Sequence, residues 1–374
     1  MKAIAVQPGA GVPDVVERPV PEPAPGEALV RIHRVGVDGT DYEVIEGSHG
    51  GAPEGDDRLV LGHEAVGVVD DPNDTELEAG QYVVPTVRRP PPGTETNEYF
   101  ERGEPDMAPE GAYVERGIVG AHGFMAEYIT SPAEFLVPIP ADLAPWGFLV
   151  EPLSITEKAL EHARASRSAF AWQPDAALVL GTGSLGLLTV AMVSATDEFE
   201  RVYCLGRKDR PHPVIDIIER LGATYIDSRE TPVAEIPAAY EPMDLVYEAT
   251  GYAKHAFESI DALAPNGVAA LLGVPGDWTF EVDGGHLHRE LVLHNKAVVG
   301  TVNSNRSHFE AAIDTLADLP DWVLEAIVTG IYGLEAADRA FPNATAHAAT
   351  ADDESAGTPD DDTTIKTAVE FTAI

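Results

Sequence analysis

The sequence predicts an α/β protein, in which a β-rich first domain is followed by a doubly wound parallel sheet. Residues 1–150 hold short β-branched runs broken by Pro and Gly. After residue 150, apolar strands alternate with helical segments, which is the pattern of a parallel sheet covered on both faces. With 374 residues and 44% hydrophobic content, the chain can form two cores. We expect domains at 1–153 and 154–300, with 301–374 returning to the first.

The strands expected in the first domain are short runs rich in β-branched residues. Residues 88–117 have a different composition. They carry too many Pro, Gly and charged residues for a core element, so they are predicted to be a long surface lobe. The expected strands are "KAIAV" (2–6), "EALVRIHRVGV" (27–37), "AVGVV" (65–69), "QYVVPTV" (81–87) and "FMAEYIT" (124–130).

The second domain is predicted to begin with a helix, after which strands and helices alternate. The C-terminal part is predicted to contain two helices and a closing strand, "IKTAVEFTAI" (365–374). We expect that strand to pack on the first domain. The second-domain segments are "LSITEKALEHARAS" (153–166), "DAALVLGTGSLGLLTVAMVSAT" (175–196), "RVYCLG" (201–206), "VIDIIERLGA" (214–223), "MDLVYEATG" (243–251), "GVAALLGV" (267–274) and "KAVVGTVN" (296–303).

The charge of the chain is strongly negative. Asp and Glu number 63 against 24 Lys and Arg, a formal net charge of −39. Molar salt would screen the self-repulsion of such a surface, so we expect adaptation to a very salty cytoplasm. The alternative, an acidic binder of basic partners, would concentrate the charge in one block, whereas only 350–362 is denser than the rest. A negative chain without basic patches is a poor candidate for nucleic-acid binding.

Nothing in the sequence indicates a membrane or a disulfide. No apolar run reaches the roughly 18 residues of a membrane span, and the N-terminus has no apolar signal core. We therefore expect a cytoplasmic protein. Cys204 is the single cysteine, so no internal disulfide can form.

A dinucleotide site is predicted at "VLGTGSLG", where Gly181, Gly183 and Gly186 form G-x-G-x-x-G. The motif follows a strand and opens a helix, which is the context that gives it weight. The glycines let the backbone approach a pyrophosphate, and the helix N-terminus offers N–H groups to it. A glycine-rich turn in an ordinary βα unit is the alternative.

The residues at the end of the next strand, "RVYCLG" (201–206), indicate whether NAD or NADP is the coenzyme. NAD sites place Asp or Glu there to bind the ribose 2′-hydroxyl. This chain has Gly206, followed by Arg207 and Lys208, which could pair with a 2′-phosphate. The sequence therefore predicts NADP, with NAD also open; two solvated basic residues in a turn are the alternative explanation.

Four residues are candidate metal ligands. Asp38 ends a strand, His63 and Glu64 stand between glycines in "LGHEAVG", and Glu151 lies at the domain boundary. Catalytic zinc usually takes three protein ligands and keeps a fourth position open, and carboxylate oxygen is an accepted donor. A buried polar pair of Asp38 and His63 in a zinc-free protein is the alternative.

These motifs resemble those of the medium-chain zinc alcohol dehydrogenases. "GVDGTD" (36–41) is similar to their Cys-Gly-Thr-Asp turn, "GHE" (62–64) to their Gly-His-Glu, "GFMAEY" (123–128) to their Gly-x-Ala-Glu-Tyr strand, and "GTGSLG" (181–186) to their coenzyme loop. Within that family the chain looks most like the haloarchaeal glucose dehydrogenases. The closer match lies in "GVDGTDYEVIEG" (36–47), "VERGIVGAHGFMAEY" (114–128), "VEPLSITEKALEHA" (150–163) and "GTVNSNRSHF" (300–309).

The resemblance implies a GroES-like catalytic first domain with one zinc ion. Asp38 takes the place of the family's cysteine ligand, His63 is the imidazole ligand, and Glu64 binds directly or through water. Glu151 would close on the metal or on substrate, and Thr40 belongs with these four as a catalytic residue. Relatives often hold a structural zinc with four cysteines in the lobe; residues 88–117 contain none, so we expect no structural zinc.

The resemblance also implies which residues contact sugar and coenzyme. Thr40, Glu115, Glu151 and Asn303 fall where sugar hydroxyls bind, whereas Ile155 occupies a position that is polar in some relatives. The implied coenzyme contacts are the backbone and side chains of Gly181, Thr182, Gly183, Ser184, Leu185, Gly186, Gly206, Arg207, Lys208, Leu272, Gly273, Val274, Thr301, Val302 and Asn303.

The implied reaction is oxidation of an aldose, glucose above all, at C1 to the lactone, with transfer of hydride to the nicotinamide. Two alternatives stay open: a zinc-free NADPH-dependent quinone or enoyl reductase of the same fold, and a non-catalytic NADP-binding redox sensor. The resemblance leads us to expect a homodimer or homotetramer that acts on a sugar and binds neither nucleic acid nor membrane.

Overall fold

The structure, a computed structural model, describes residues 1–9, 11–94, 96–342 and 363–373. The acidic patch 350–362 lies outside the described residues, as does the last residue of the predicted closing strand 365–374.

The strands of the described chain are short apart from three. They are β1 Lys2–Val6, β2 Asp14–Glu17, β3 Glu27–Val37, β4 Leu59–Val60, β5 Glu64–Asp71, β6 Tyr82–Pro85, β7 Arg88–Arg89, β8 Val114–Arg116, β9 Gly120–Ala121, β10 Tyr128–Pro132, β11 Leu136–Pro138, β12 Ala176–Leu180, β13 Arg201–Gly206, β14 Thr224–Asp227, β15 Met243–Glu248, β16 Leu263–Leu271, β17 Ala297–Gly300, β18 Val328–Gly333 and β19 Lys366–Glu370.

The helices are mostly longer than the strands. The α-helices are α1 Gly39–Glu46, α2 Glu98–Glu101, α3 Val150–Ser166, α4 Ser184–Ala195, α5 Pro213–Arg220, α6 Ile236–Ala239, α7 Ala253–Ala262, α8 Gly284–Leu293, α9 Arg306–Asp318 and α10 Asp321–Ile327. Short 3-10 helices span Pro105–Met107, Ala133–Phe135, Ala144–Leu149, Val233–Glu235 and Leu334–Ala340. No helix in the described ranges is both long and apolar enough to cross a bilayer.

The chain divides into two compact units. The first contains Met1–Ser154, Asn303–Ala317 and Val328–Ile374, and the second contains Ile155–Val302 and Asp318–Ile327.

The first unit is built on a mixed sheet with the strand order β11-β6-β5-β3-β19-β18, and β10 also pairs with β3. Two three-stranded sheets, β2-β1-β4 and β7-β8-β9, complete it. The core is β-branched: Val30, Ile32 and Val35 of β3 are fully buried, as is Val66 of β5. Branched side chains pack well on a pleated surface, which explains why these runs form strands. The predicted β-rich domain is confirmed.

The C-terminal strand β19 lies inside this sheet. It pairs antiparallel with β3, where Val369 faces Val35, and parallel with β18. Ala368 and Val369 are fully buried. A segment at the far end of the sequence thus supplies a central strand of the first unit.

The second unit holds a six-stranded parallel sheet with the order β14-β13-β12-β15-β16-β17. All five residues of β12 are buried, which fits a strand covered on both faces. Numbered within the unit, this order is 3-2-1-4-5-6, and a dinucleotide binds in the crevice where such an order reverses, between β12 and β15. The predicted doubly wound parallel sheet is confirmed.

The expectation that residues 88–117 form no core element was wrong. They contribute β7, β8 and α2, and Phe100 and Ala108 pack with Phe135 in a small apolar cluster. The arginine side chains of this stretch can be buried because backbone carbonyls accept their hydrogen bonds and aromatic rings lie against their guanidinium groups. Arg89, for example, donates to the carbonyl of Thr86 at 2.7 Å and stacks 4.2 Å from the ring centroid of Phe135.

Candidate active site

Asp38 lies where β3 ends and α1 begins, and its side chain caps that helix. Its Oδ1 accepts a hydrogen bond from the backbone N–H of Asp41 at 3.1 Å, and Asp41 Oδ2 accepts one from the backbone N–H of Asp38 at 3.1 Å. This reciprocal pair is a capping box. The hydroxyl of Thr40 donates to Asp38 Oδ2 at 3.3 Å. The turn therefore fixes the direction of the Asp38 carboxylate.

His63 follows a turn that requires a glycine. Gly62 has a φ of +86°, and a Cβ there would lie 2.5 Å from Met125 Cγ. The backbone N–H of Gly62 donates to Asp41 Oδ1 at 3.2 Å. Asp41 thus ties the turn that carries His63 to the turn that carries Asp38.

His63 lies at the centre of four carboxylates. Its Nε2 is 3.5 Å from Asp38 Oδ2. His63 forms one set of potential metal ligands with Asp38 and Asp41, and a second with Glu64 and Glu151, and the ligand atoms within each set lie within 4.8 Å of one another. Glu151 is supplied by the first turn of α3 and is buried.

The crowding of these charges shifts their titration. Burial raises the pKa of Glu151 to about 8, and burial together with the charge of Asp38 raises the pKa of Asp41 to about 7. Burial also opposes ionisation of Asp38, but the charge of His63 holds the pKa of Asp38 below its usual range. Burial would lower the pKa of His63, yet the charge of Asp38 raises it well above the ordinary value.

The donor set fits a zinc ion. Four carboxyl groups gather around one imidazole, and a divalent cation there would favour the ionised forms of Asp41 and Glu151, whose pKa values are raised in this cluster. His63 Nδ1 is buried and has no hydrogen-bond partner in the described part of the chain. One imidazole nitrogen with two or three carboxylate oxygens is a ligand set that zinc accepts.

Two residues of this cluster were not predicted, Asp41 and Lys366. The ammonium of Lys366, on β19, pairs with the carboxylate of Glu64. Asp41 had a local signal, because an acidic residue three positions after Asp38 has capping-box spacing. Lys366 had none, since only the insertion of β19 beside β3 brings it to the site.

Of the four residues expected to contact sugar, Glu115 and Asn303 contact each other, whereas Thr40 and Glu151 lie with the cluster around Asp38 and His63. Glu115 Oε1 accepts hydrogen bonds from Asn303 Nδ2 at 3.2 Å and from Arg88 Nε at 2.9 Å, and all three are buried. Thr40 contacts Asp38 instead, and no hydrogen bond among the described residues joins the two groups. Arg88, which was not predicted as a site residue, orients the Glu115 carboxylate through this hydrogen bond.

The glycines of the dinucleotide motif have the geometry that their spacing predicts. Gly181 has a φ of +121°, and a Cβ on Gly186 would lie 2.2 Å from the carbonyl oxygen of Gly181. Gly183 has open space around its missing Cβ and is the N-cap of α4. Thr182 lies in the same turn, and Ser184 and Leu185 follow in the first turn of α4, whose N–H groups can bind a pyrophosphate.

A side chain at the end of β13, where NAD sites carry an acidic residue, would require Thr182 to move. A Cβ on Gly206 would lie 2.4 Å from the side chain of Thr182. Arg207 is exposed and makes no hydrogen bond or ion pair within the described residues. The nearby carboxylates of Asp209 and Asp227 are both held by Arg229, at 2.6 Å and 2.5 Å.

Most of the remaining predicted coenzyme residues follow β16 and β17 in the second unit. Lys208 follows β13 instead, and Asn303 lies in the first unit. A Cβ on Gly273 would lie 2.1 Å from the backbone nitrogen of Gly251, so this turn too needs a glycine. Lys208 donates its N–H to Tyr225 Oη at 2.7 Å. The others are Leu272 and Val274 after β16, and Thr301 and Val302 after β17.

Family models match both parts of the chain. The alcohol dehydrogenase GroES-like domain matches residues 24–141, and the glucose dehydrogenase C-terminus matches residues 144–371. The chain belongs to the glucose dehydrogenase family. The resemblance drawn from the "GHE" and "GTGSLG" motifs is thereby confirmed.

Individual relatives are similar along their full length. Glucose 1-dehydrogenase 1 of Haloterrigena turkmenica is 75% identical over 374 residues, which is 100% of both chains. Haloferax mediterranei glucose dehydrogenase, solved in complex with NADP, Zn and gluconolactone, is 64% identical with a TM-score of 0.94 and full coverage of both chains. The D38C mutant of the Haloferax mediterranei enzyme is 63% identical, with a TM-score of 0.93 and the same coverage.

Proposed function

We propose that this protein oxidises glucose at its C1 hydroxyl to the lactone, with NADP as the coenzyme and one zinc ion per chain. The observation that carries the proposal is the buried cluster in which four carboxylates surround His63. A divalent cation would stabilise the ionised forms of these carboxyl groups, and the polar groups of Glu115 and Asn303 suit a polyol better than an apolar alcohol.

We assign the zinc ligands to His63, Asp38 and a glutamate. Zinc bound there would act as a Lewis acid on the C1 oxygen and lower the pKa of that hydroxyl. Glu64 is engaged by Lys366, whereas the Glu151 side chain makes no hydrogen bond among the described residues. Glu151 is therefore the glutamate that is available at the site, and a zinc ion beside it would favour its carboxylate form, which could accept the hydroxyl proton.

Each chain residue has a separate task in this proposal. Glu115 and Asn303 bind sugar hydroxyls, and the hydrogen bond between them fixes the direction of their remaining donor and acceptor groups. Thr40 holds the Asp38 carboxylate and offers its hydroxyl oxygen to substrate. Binding energy from such positioning contacts lowers the barrier because the reacting C1 is held in one orientation.

The second unit would bind the coenzyme. The G-x-G-x-x-G turn and the N-terminus of α4 suit the pyrophosphate, and Arg207 suits the 2′-phosphate. The nicotinamide, when bound, accepts the hydride that leaves C1. NAD lacks the 2′-phosphate and would bind without the Arg207 contact, so we expect it to be the weaker coenzyme.

The test is turnover measured by absorbance at 340 nm in molar KCl, across a panel of glucose, galactose and xylose with either coenzyme. Zinc content per chain is measured on the same samples. Removal of zinc by a chelator should abolish glucose oxidation, and added zinc should restore it. Full activity after zinc removal would indicate a zinc-free reductase, and coenzyme binding without turnover would indicate a redox sensor.

We also propose that the protein is a cytoplasmic homodimer or homotetramer. Helix α8 buries none of its residues, and Val292 and Leu293 at its end are 61% and 69% exposed. The neighbouring edge strand β17 exposes Val298. An apolar patch at a sheet edge suits a second copy of the chain. Light scattering after size-exclusion chromatography in molar KCl would measure the mass, and Leu293→Asp should reduce it.

A further inference from the structure

Arg116, the last residue of β8, is a cation without an acceptor. Its Nε is buried and has no hydrogen-bond partner, and its guanidinium makes no ion pair among the described residues. The charged group does lie near an aromatic ring, since its guanidinium carbon is 5.1 Å from the ring centroid of Phe124. In a chain with 63 acidic and 24 basic residues, an arginine without a carboxylate partner is unexpected.

The surroundings of Arg116 compensate its charge only at a distance: the charge of Glu27 acts to raise its pKa, but no carboxylate among the described residues forms an ion pair with it. Arg89 is also buried, and it donates to the carbonyl oxygens of Thr86 and Arg88 and to the Ser131 hydroxyl instead of a carboxylate. Burial, and then the charge of Arg116, lowers the pKa of Arg89. Burial lowers the pKa of Arg116 to about 10, so Arg116 is still a cation at neutral pH.

A cavity of about 420 Å³ opens beside Arg116 in the first unit. Arg18 and His122 line it together with apolar side chains such as Ile129. Arg18 already has a carboxylate nearby, because Asp56 lies 3.8 Å from it. The cavity therefore presents one cation with a carboxylate nearby and, at Arg116, one cation without an ion-pair partner among the described residues.

We propose that this cavity binds a small oxyanion, a carboxylate or a phosphate, through the guanidinium of Arg116. The planar guanidinium fork matches two oxygens of such a group, and a partly buried pair is screened by salt much less than an exposed one. The volume admits an organic anion of several carbon atoms as well as inorganic phosphate.

The proposed site is separate from the candidate active site. Successive side chains of a strand point to opposite faces, so Arg116 and its neighbour Glu115 lie on opposite sides of β8. Glu115 contacts Arg88 and Asn303, whereas Arg116 faces Phe124. An oxyanion at Arg116 would thus bind behind the strand that carries a sugar-binding residue.

The test compares inorganic phosphate with gluconate in potassium chloride at constant molar ionic strength. Thermal melting and titration calorimetry are followed for the wild type, for Arg116→Gln and for Arg58→Gln. Arg58 is a matched control, an exposed arginine paired with Asp14. We expect one or both anions to raise the melting temperature of the wild type and of Arg58→Gln saturably, and Arg116→Gln to lose the saturable rise. The anion that saturates identifies the source of the oxyanion.

Two results would overturn the proposal. One is that neither anion binds the wild type saturably, or that all three proteins respond alike. The other is a lower melting temperature of Arg116→Gln in chloride alone, which would make Arg116 a structural residue. We expect that melting temperature to be unchanged or higher, because the replaced guanidinium has no acceptor of its own. Arg116→Lys, which keeps the charge but not the fork, should bind the saturating anion about tenfold more weakly.

Discussion

Lys366 and Glu64 form an ion pair in the interior of the first unit, where their side chains are 0% and 2% exposed. Burial disfavours both charges, and each compensates the other: burial would lower the pKa of Lys366, but Glu64 raises it. The pair also takes one carboxylate out of the competition for a metal at His63.

We therefore expect Lys366→Met to be strongly destabilising. It leaves Glu64 buried without a counter-charge, and removal of one partner of a buried pair typically costs about 3–5 kcal/mol. Melting of the zinc-free proteins in molar KCl measures the effect. Lys366→Arg should keep most of the stability, and Lys366→Met combined with Glu64→Gln should recover much of the loss. A single Lys366→Met protein as stable as wild type would show that the pair contributes nothing.

Substitutions of Asp38 should separate its role as a ligand from its role as a helix cap. Asp38→Ala loses both, and we expect loss of zinc and of turnover together with about 0.5–2 kcal/mol of stability from the lost cap. Asp38→Asn keeps an oxygen for the cap but no negative charge, so it should fold well and still lose zinc. Asp38→Cys supplies an anionic thiolate and should retain zinc and substantial activity.

The measurements for Asp38 are zinc per chain, glucose oxidation rate and melting temperature, all in molar salt. Excess zinc should restore little activity to Asp38→Ala. If Asp38→Ala kept full zinc occupancy and a near-normal rate, Asp38 would be a turn residue only, and His63 would hold the metal with Glu64 and Glu151.

Coenzyme preference should depend on Arg207. A charge-assisted hydrogen bond is worth about 1.5–3 kcal/mol, so Arg207→Asp should weaken NADP binding at least tenfold and spare NAD. The control is Arg164→Asp, which removes an arginine paired with Glu198 in the same unit and should leave both coenzymes unaffected. Coenzyme dissociation constants from fluorescence titration would decide. Equal losses for NADP and NAD in Arg207→Asp would remove Arg207 from the site.

Stability should rise steeply with salt. The Debye length falls from about 10 Å at 0.1 M to about 3 Å at 1 M, and a net charge of −39 gives screening a large effect. The melting temperature is measured from 0.1 M to several molar KCl. Sucrose at fixed low salt is the control, because it stabilises by exclusion without screening charge. A melting temperature that does not change with KCl would contradict this expectation.

What the sequence predicted well was local. The three glycines of "GTGSLG" lie within six residues, and two of them are needed for reasons that the turn alone contains: Gly181 has a positive φ, and Gly186 lies against the carbonyl of Gly181. The strand β14 was not predicted because its four residues, Thr-Tyr-Ile-Asp, form no apolar run, whereas β17, equally short, is marked by two consecutive valines. Without such a run, a strand this short carries too little alternation to be distinguished from a turn.

The contacts that the sequence could not predict join residues that are far apart along the chain. The closing strand was expected on the first domain, but no pattern near residue 366 indicates that β19 pairs with β3, which is the pairing that brings Lys366 to Glu64. The burial of Arg88 depends on Glu115 and on the carbonyl of Asp106, at 2.9 Å each. Composition predicted an exposed lobe there because it counts charges without their partners.

The position of β19 has a consequence for synthesis on the ribosome. Strand β3 is complete after 37 residues, yet its neighbour at Thr367–Glu370 is translated more than 300 residues later. Until then, one end of β3 offers unpaired backbone groups, and Glu64 has no ammonium beside it. The second unit, whose sheet is contained within residues 176–300, can fold while translation continues. The catalytic half of the molecule would thus be the last to close, and the nascent chain should acquire coenzyme affinity before it can hold a metal.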